Sequence, residues 1–396
     1  MAAVENERAP SATPPPITVG ADRWDEVLAR THGRRLGLVV NHTSRSGDRH
    51  LVDRLLAAGV PVTRVFAPEH GFRGAASDGE HVADHTDART GLPIASLYGR
   101  TKRPTAAMLA DVDLLVFDIQ DVGTRFYTYI STMHYVMDAA AEFGVPVLVL
   151  DRPNPNGHYV DGPVLDTASL RSFIGMHPIP SAHGLTVGEL ARMINGEGWL
   201  SGGRRADLDV VPVANYRVGE RYDLPVAPSP NLPTARSVAL YPTLCHFEGT
   251  VATVGRGTDL PFQLVGHPAL GGEVDTVVTP AARPGAKYAK LRGEACRALT
   301  ERSLPLEAMH AGIDYSLLDS VAARTAAQPF VDRPEHFDRV AGTDAFRLAL
   351  RDGRSLAAVN AGFAARREAY KRQACPYLLY ARSGLDWGAG SAFCGE

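Results

Sequence analysis

The stretch DLLVFDIQDVGTRFYTYISTMHYVMDAAAEFGVPVLVLD, residues 113–151, decides the fold. It opens on one apolar run, Asp113 to Asp118, and closes on another, Pro146 to Asp151, both read as buried strands. Between them Phe126 to Phe143 reads as a long helix stopped by Gly144. Continuously apolar strands joined through helices build a mostly parallel sheet covered on both faces. Outward from this unit the pattern repeats. Arg35 to Asn41 and Val62 to Ala67 are further buried strands. A helical pattern from Asp48 to Gly59 separates them, with Leu51, Leu55 and Leu56 at helical spacing. Pro104 to Ala110 fits a short helix with Pro104 in its first turn. Thr186 to Asn195 is a helix opened by a capping box of Thr186 and Glu189, and Leu208 to Val213 is a further strand.

The second half is less regular. Residues 215–275 are rich in Pro, Gly and Asn and read as long functional loops. From Lys287 onward, Tyr288 to Leu299 and Asp344 to Leu350 return to α/β character, so a domain boundary is expected near 240–280.

The chain has 396 residues, 45% hydrophobic and 21% charged, an ordinary globular composition with room for two domains. Its 41 basic and 44 acidic residues leave a net charge of -3, which offers no electrostatic handle for nucleic acid or an anionic membrane. No apolar run approaches the roughly 18 residues of a membrane span. The first residues, MAAVENERAPSATPPPITVG, lack the apolar core of a secretory signal. They read as a Pro- and Ala-rich disordered tail over residues 1–18, and a cytoplasmic location is expected for the chain as written. Cys245, Cys296, Cys375 and Cys394 form no C-x-x-C pair and read as free thiols, which suits a reducing compartment.

The polar residues concentrate where strands end. Asn41 and His42 follow the first strand, Glu69 and His70 the second, Asp118, Gln120 and Asp121 the third, Asp151 and Arg152 the fourth. Open α/β sheets bind ligands outside the carboxyl ends of their strands. Any one of these carboxylates is as well explained by capping the next helix; their convergence on one rim favours function.

Several chemistries are excluded. No G-x-S-x-G elbow and no G-x-x-x-x-G-K-[ST] loop occurs. Gly255-Arg-Gly257-Thr-Asp-Leu260 lacks the third glycine of a dinucleotide fingerprint, so a nicotinamide cofactor is not supported. His81 and His85, flanked by Glu80 and Asp84, lack a recognised metal-ligand spacing and read better as solvated loop histidines. Neither cofactor nor metal is expected. Carboxylates and amides without a cofactor suit glycosidic cleavage, where a carboxylic acid protonates the leaving oxygen and a second group supports the oxocarbenium-like centre. Sugar kinases, isomerases and binding proteins use similar residues.

Longer motifs narrow the choice. Phe66-Ala-Pro-Glu-His-Gly-Phe72, Ser96-Leu-Tyr-Gly99, Phe117 to Thr128 and Leu150-Asp-Arg-Pro-Asn-Pro155 resemble signatures of the exo-β-N-acetylmuramidase family of peptidoglycan hexosaminidases. So do His183-Gly184 with Thr186 and Gly188 to Ala191, Pro228 to Asn231, Phe247 to Thr250, Gly255 to Thr258 and Tyr377 to Tyr380. The resemblance covers about residues 33–381. It implies a Rossmann-like catalytic domain (residues 19–250) and a smaller C-terminal α/β domain (251–396), with the site in the cleft between them. It also implies release of N-acetylmuramic acid from non-reducing ends of peptidoglycan fragments, without metal or nucleotide. His158 stands where the motif expects a second glycine, which weakens any role for Asn156, and Val251 stands where a polar residue is expected after Thr250.

Carried onto this sequence, the resemblance makes Glu69 the general acid, with Glu80, Asp118 or Asp121 as second carboxylate. The 2-acetamido group of the substrate is an alternative nucleophile. Muramic acid carries a lactyl carboxylate, which an arginine fork suits; Arg125, Arg152, Arg256 and Arg73 are the options. Asn41, His70, Gln120, Tyr127, Asp151, Asn154, His183, Asn231 and Glu248 complete the expected substrate-binding set. Two rival readings remain: a metal-dependent hydrolase using His70, His81 and His85, and a non-catalytic muropeptide-binding protein.

Overall fold

A computed structural model describes residues 15–73, 85–99, 101–220, 222–306 and 311–382. Among the described residues, nine strands and six α-helices build the first part. The strands are β1 (Leu36–Val40), the hairpin β2 (Arg45–Ser46) and β3 (Arg49–His50), β4 (Val62–Ala67), β5 (His85–Thr86), β6 (Pro93–Ser96), β7 (Leu114–Asp118), β8 (Val147–Leu150) and β9 (Leu208–Val211). The helices are α1 (Trp24–Thr31), α2 (Leu51–Ala57), α3 (Ala106–Leu109), α4 (Tyr129–Phe143), α5 (Thr167–Leu170) and α6 (Val187–Gly196). The main sheet runs β5-β6-β4-β1-β7-β8-β9. Every pairing in it is parallel except that of β5 with β6. Without its antiparallel edge strand this is the doubly wound order, and the strand order reverses between β1 and β7.

Every residue of β1 and β7 is buried, as a sheet covered on both faces requires. Alternate side chains sort into two cores. Leu38, Val116 and Leu148 pack with Val27 of α1 and Leu51 and Leu55 of α2. Val39, Phe117 and Val149 face the other way, against Ile130, Met133 and Met137 of α4 and Leu190 and Ile194 of α6. Helix α4 ends at Gly144, whose φ of 71° is the left-handed stop read from the sequence. The capping box on α6 is present in both directions.

The second core continues into the C-terminal half. That half holds α7 (Ala235–Leu244), the antiparallel sheet of β10 (Val265–His267), β11 (Thr276–Val278) and β12 (Cys296–Leu299), then α8 (Tyr315–Arg324) and α9 (Pro334–Ala341). Helices α10 (Ala345–Arg351), α11 (Leu356–Ala361) and α12 (Ala364–Ala374) close it. Phe247, Phe337 and Phe346 share one apolar cluster with α4, so the two halves are not separated by solvent.

Three expectations need correction. The 215–275 stretch is not all loop: it holds α7, masked in the sequence by Pro242 inside the helix, and opened by a Thr234–Ser237 capping box. Ordered chain reaches back into the expected tail, since Thr18 pairs with Ala214. Cys245 and Cys296 are buried thiols outside any disulfide, but Cys375 is disulfide-bonded. Among the described residues no helix is long and apolar enough to cross a membrane.

Candidate active site

Strand β4 delivers the first component. After Ala67 the chain turns sharply, with the Gly71 amide donating to the Pro68 carbonyl at 3.0 Å. His70 and Gly71 both take left-handed backbone, φ 66° and 76°, a conformation that strains histidine and that glycine accepts. The turn leaves Glu69 at the rim, only 8% exposed. Thr128, at the mouth of α4, donates its hydroxyl to Glu69 Oε2 at 2.7 Å. The preceding Tyr127 is tied by its own hydroxyl to the Pro228 carbonyl at 2.7 Å. Its ring packs edge-on against Tyr129 and Tyr241, and Tyr241 against Phe262, forming an aromatic wall.

The C-terminal half supplies the facing wall. The 3-10 segment Cys245–Gly249 carries Glu248, which accepts Arg256 Nε at 2.6 Å. Arg256 also lies 4.9 Å over the Phe262 ring, a cation–π contact. Helix α9 contributes His336 and Val340. These walls enclose a cavity of about 240 Å³, lined also by Tyr98, Phe173, Ile174 and Asn231. It is smaller than the roughly 300–1,000 Å³ of a drug-sized site.

Six of the residues read from the sequence line this cavity: Glu69, His70, Tyr127, Asn231, Glu248 and Arg256. Asn231 reaches the Gly285 carbonyl through its side-chain amide at 2.8 Å. Nine others serve the walls and are not among its lining. Asp118 and Arg152 form a buried bidentate pair at 2.6 and 2.9 Å. Burial pushes the Asp118 carboxyl up, against the pull of Arg152. Asp151 caps α6, accepting from the amides of Arg152 and Gly188 and from the hydroxyls of Thr186 and Tyr380. Asp121 accepts the Gly123 amide at 2.7 Å and faces His183 at 3.5 Å. Gln120 ties the Asp121 and Pro153 carbonyls. Asn41 holds its own turn through Thr43, and Asn154 bonds Leu185 and Asn156.

Arg125 is fully buried. It donates to the Arg339 and Val340 carbonyls at 3.3 and 2.9 Å and to Ser181 at 3.1 Å. It therefore caps the carboxyl end of α9, where its charge meets the negative end of the helix dipole. Burial lowers its pKa to about 10. Gly342 follows α9 at φ 81°, and a Cβ there would stand 2.6 Å from Arg125 Nη2. Arg73 pairs with Asp87. Glu80 and His81 lie outside the described residues, and among the described residues no group of three or more His, Cys, Asp or Glu is placed to hold a metal ion.

Family models for the N-terminal and C-terminal parts of exo-beta-N-acetylmuramidase NamZ match residues 36–236 and 239–380. The chain belongs to this NamZ family of exo-acting glycosidases. It is 36% identical to peptidoglycan beta-N-acetylmuramidase NamZ of Bacillus subtilis (strain 168), covering 93% of each chain. A solved DUF1343 family protein from Bacteroides fragilis superposes with a TM-score of 0.85 at 40% identity, over 93% of this chain and 99% of that one. A second from the same organism gives 0.78 at 28%, over 92% and 99%.

In this NamZ-family chain, the sequence reading gave no role to Tyr98, Thr128, Phe173, Tyr241, Phe262 or His336, all of which line the cavity. Tyr98 follows β6, so strand-end reasoning reaches it. Phe173 and His336 come from segments with no pattern that marks them, and only the packing of the two halves brings them in.

Proposed function

We propose that the chain hydrolyses the terminal β-linked N-acetylmuramic acid from the non-reducing end of peptidoglycan fragments, with Glu69 as proton donor. The observation that carries this is the placement of Glu69 on the wall of the cavity, held by the Thr128 hydroxyl. A hydroxyl suits a group that changes charge: it donates to the carboxylate and accepts from the acid. Glu69 gives its proton to the glycosidic oxygen as the bond to the anomeric carbon breaks.

Arg256 is our assignment for the lactyl carboxylate. Of the four arginines considered from the sequence it alone lines the cavity. Glu248 holds its guanidinium edge-on, fixing the fork before substrate arrives. Asp118 is committed to Arg152, so the second group is sought in Glu80, in Asp121 or in the acetamido oxygen of the substrate itself.

A chromogenic β-glycoside of N-acetylmuramic acid tests the reading. The wild-type chain releases the chromophore, and Glu69→Gln loses about 10²- to 10⁴-fold in kcat with its melting temperature unchanged. Full activity in Glu69→Gln removes Glu69 from the mechanism. Binding without release in the wild-type chain favours the sensor reading instead.

A further inference from the structure

His336 occupies the first turn of α9, two residues after Pro334, and its side chain lines the cavity. Most of the buried histidines have a visible employment. His50 bonds the Asn41 carbonyl, His246 faces the Thr243 carbonyl, His134 and His177 bond each other, and His183 accepts the Leu185 amide. Among the described residues nothing hydrogen-bonds or ion-pairs with the half-buried ring of His336. The ring opens onto the cavity with its hydrogen-bonding capacity uncommitted to the protein, so a ligand that enters can take it up in place of water.

Its surroundings fix its chemical form. Burial lowers the imidazole pKa from its ordinary value; Glu248 opposes this, while Arg333, Lys290 and Arg339 reinforce it. The amino end of a helix likewise disfavours a cation. The ring is therefore neutral near pH 7, with one donor and one acceptor nitrogen. That pair matches a hydroxyl or a secondary amide, each of which donates and accepts. A carboxylate only accepts, and Arg256 suits it better. The position of the ring is also built in: Arg125, from the loop that carries Tyr127 and Thr128, holds the far end of the same helix.

We propose that His336 binds the terminal sugar directly, through a ring hydroxyl or the acetamido group, and takes no part in selecting the lactyl carboxylate. This rests on the reading of the cavity as a sugar site. The test is a ligand-observed NMR titration of N-acetylmuramic acid and of N-acetylglucosamine against the wild-type chain, His336→Ala, His336→Phe, His336→Gln and Arg256→Ala. His336→Ala is expected to weaken both sugars by the same factor, about 5- to 10-fold. His336→Phe, which keeps the ring and loses both nitrogens, should do the same and covers the case in which the alanine variant fails to fold. His336→Gln, with a donor and an acceptor, should recover most of the loss. Arg256→Ala should weaken N-acetylmuramic acid alone. Unchanged binding in His336→Phe, or loss confined to N-acetylmuramic acid, overturns the proposal while the sugar-site reading stands. A wild-type chain that binds neither sugar overturns both.

Discussion

Acidification is expected to unfold this protein between about pH 6.5 and pH 4, because its core holds histidines that must stay neutral. Burial holds His50, His134 and His246 each at about 4, and pushes His177 well below its ordinary value. The bonding agrees. His50 accepts the Val52 amide on Nδ1 while its Nε2 meets the Asn41 carbonyl, an arrangement that only the neutral ring satisfies. His177 Nε2 and His134 Nδ1 stand 3.0 Å apart, one donating and one accepting. The sign follows from proton counting. The unfolded chain, with histidine near 6.5, takes up protons that the folded chain refuses, so stability falls as pH falls. At pH 5 each of the three residues near 4 removes about 2 kcal/mol, roughly 6 together. Asp151 acts in the opposite sense. Burial raises it to about 6, so acidification relieves a penalty on its ionised form and returns about 1 kcal/mol at pH 5. The net loss of roughly 4–5 kcal/mol is a large share of the 5–15 kcal/mol typical of a folded domain. Urea unfolding at pH 7, 6 and 5 measures it directly. His246→Gln should flatten the dependence by about one proton, or about 1.4 kcal/mol per pH unit at most. A stability difference below about 1 kcal/mol between pH 7 and pH 5 would show that water or rearrangement reaches these rings and would refute the reasoning.

Other outcomes follow from the site. Thr128→Ala removes the hydroxyl on Glu69 Oε2, and kcat should fall about 5- to 10-fold with a displaced pH profile and little change in KM. Arg125→Met leaves two helix carbonyls unpaired, about 1–3 kcal/mol each, but also removes a charge whose burial costs on the order of 3 kcal/mol. Urea unfolding should therefore show a net loss no larger than about 3 kcal/mol, with KM raised as α9 loosens. Gly342→Ala meets both a left-handed backbone and the Arg125 guanidinium, and should destabilise by about 1–3 kcal/mol in the same assay. Prolonged dialysis against a chelator should leave turnover intact; a loss that zinc restores would revive the metal-dependent reading.

The sheet was legible because its strands are buried on both faces and announce themselves as unbroken apolar runs. Asn41, Glu69, Asp118 and Asp151 do stand at the carboxyl ends of β1, β4, β7 and β8, as the pattern required. What the pattern could not show is which of them faces the cavity. That depends on side-chain direction beyond the strand, where no period operates. The C-terminal half was less readable for a related reason. Its elements are short, its helix α7 contains a proline, and two of its contributions to the site, Phe262 and His336, are single residues set by long-range packing.

The fate of the rim carboxylates separates scaffold from chemistry. An acid in a low-dielectric rim needs donors, and the kind of donor decides what it can then do. Asp118 receives two guanidinium N–H groups and Asp151 two amides and two hydroxyls. Protonating Asp118 would leave the buried Arg152 guanidinium without its counter-charge, so this residue holds its elements together and is a poor proton carrier, while Asp151 spends its acceptor positions on the mouth of α6 and faces no reacting group. Glu69 stands beyond its strand, in a turn strained at His70, with a threonine hydroxyl that can reverse its role as the proton leaves. Exchanging these environments is a direct check. Asp118→Asn should unfold the chain or cost several kcal/mol, since Arg152 would remain buried and unpaired. Glu69→Gln should cost almost no stability while ending turnover. If instead Asp118→Asn folds normally and turns over poorly, the division between scaffold and proton donor is drawn in the wrong place.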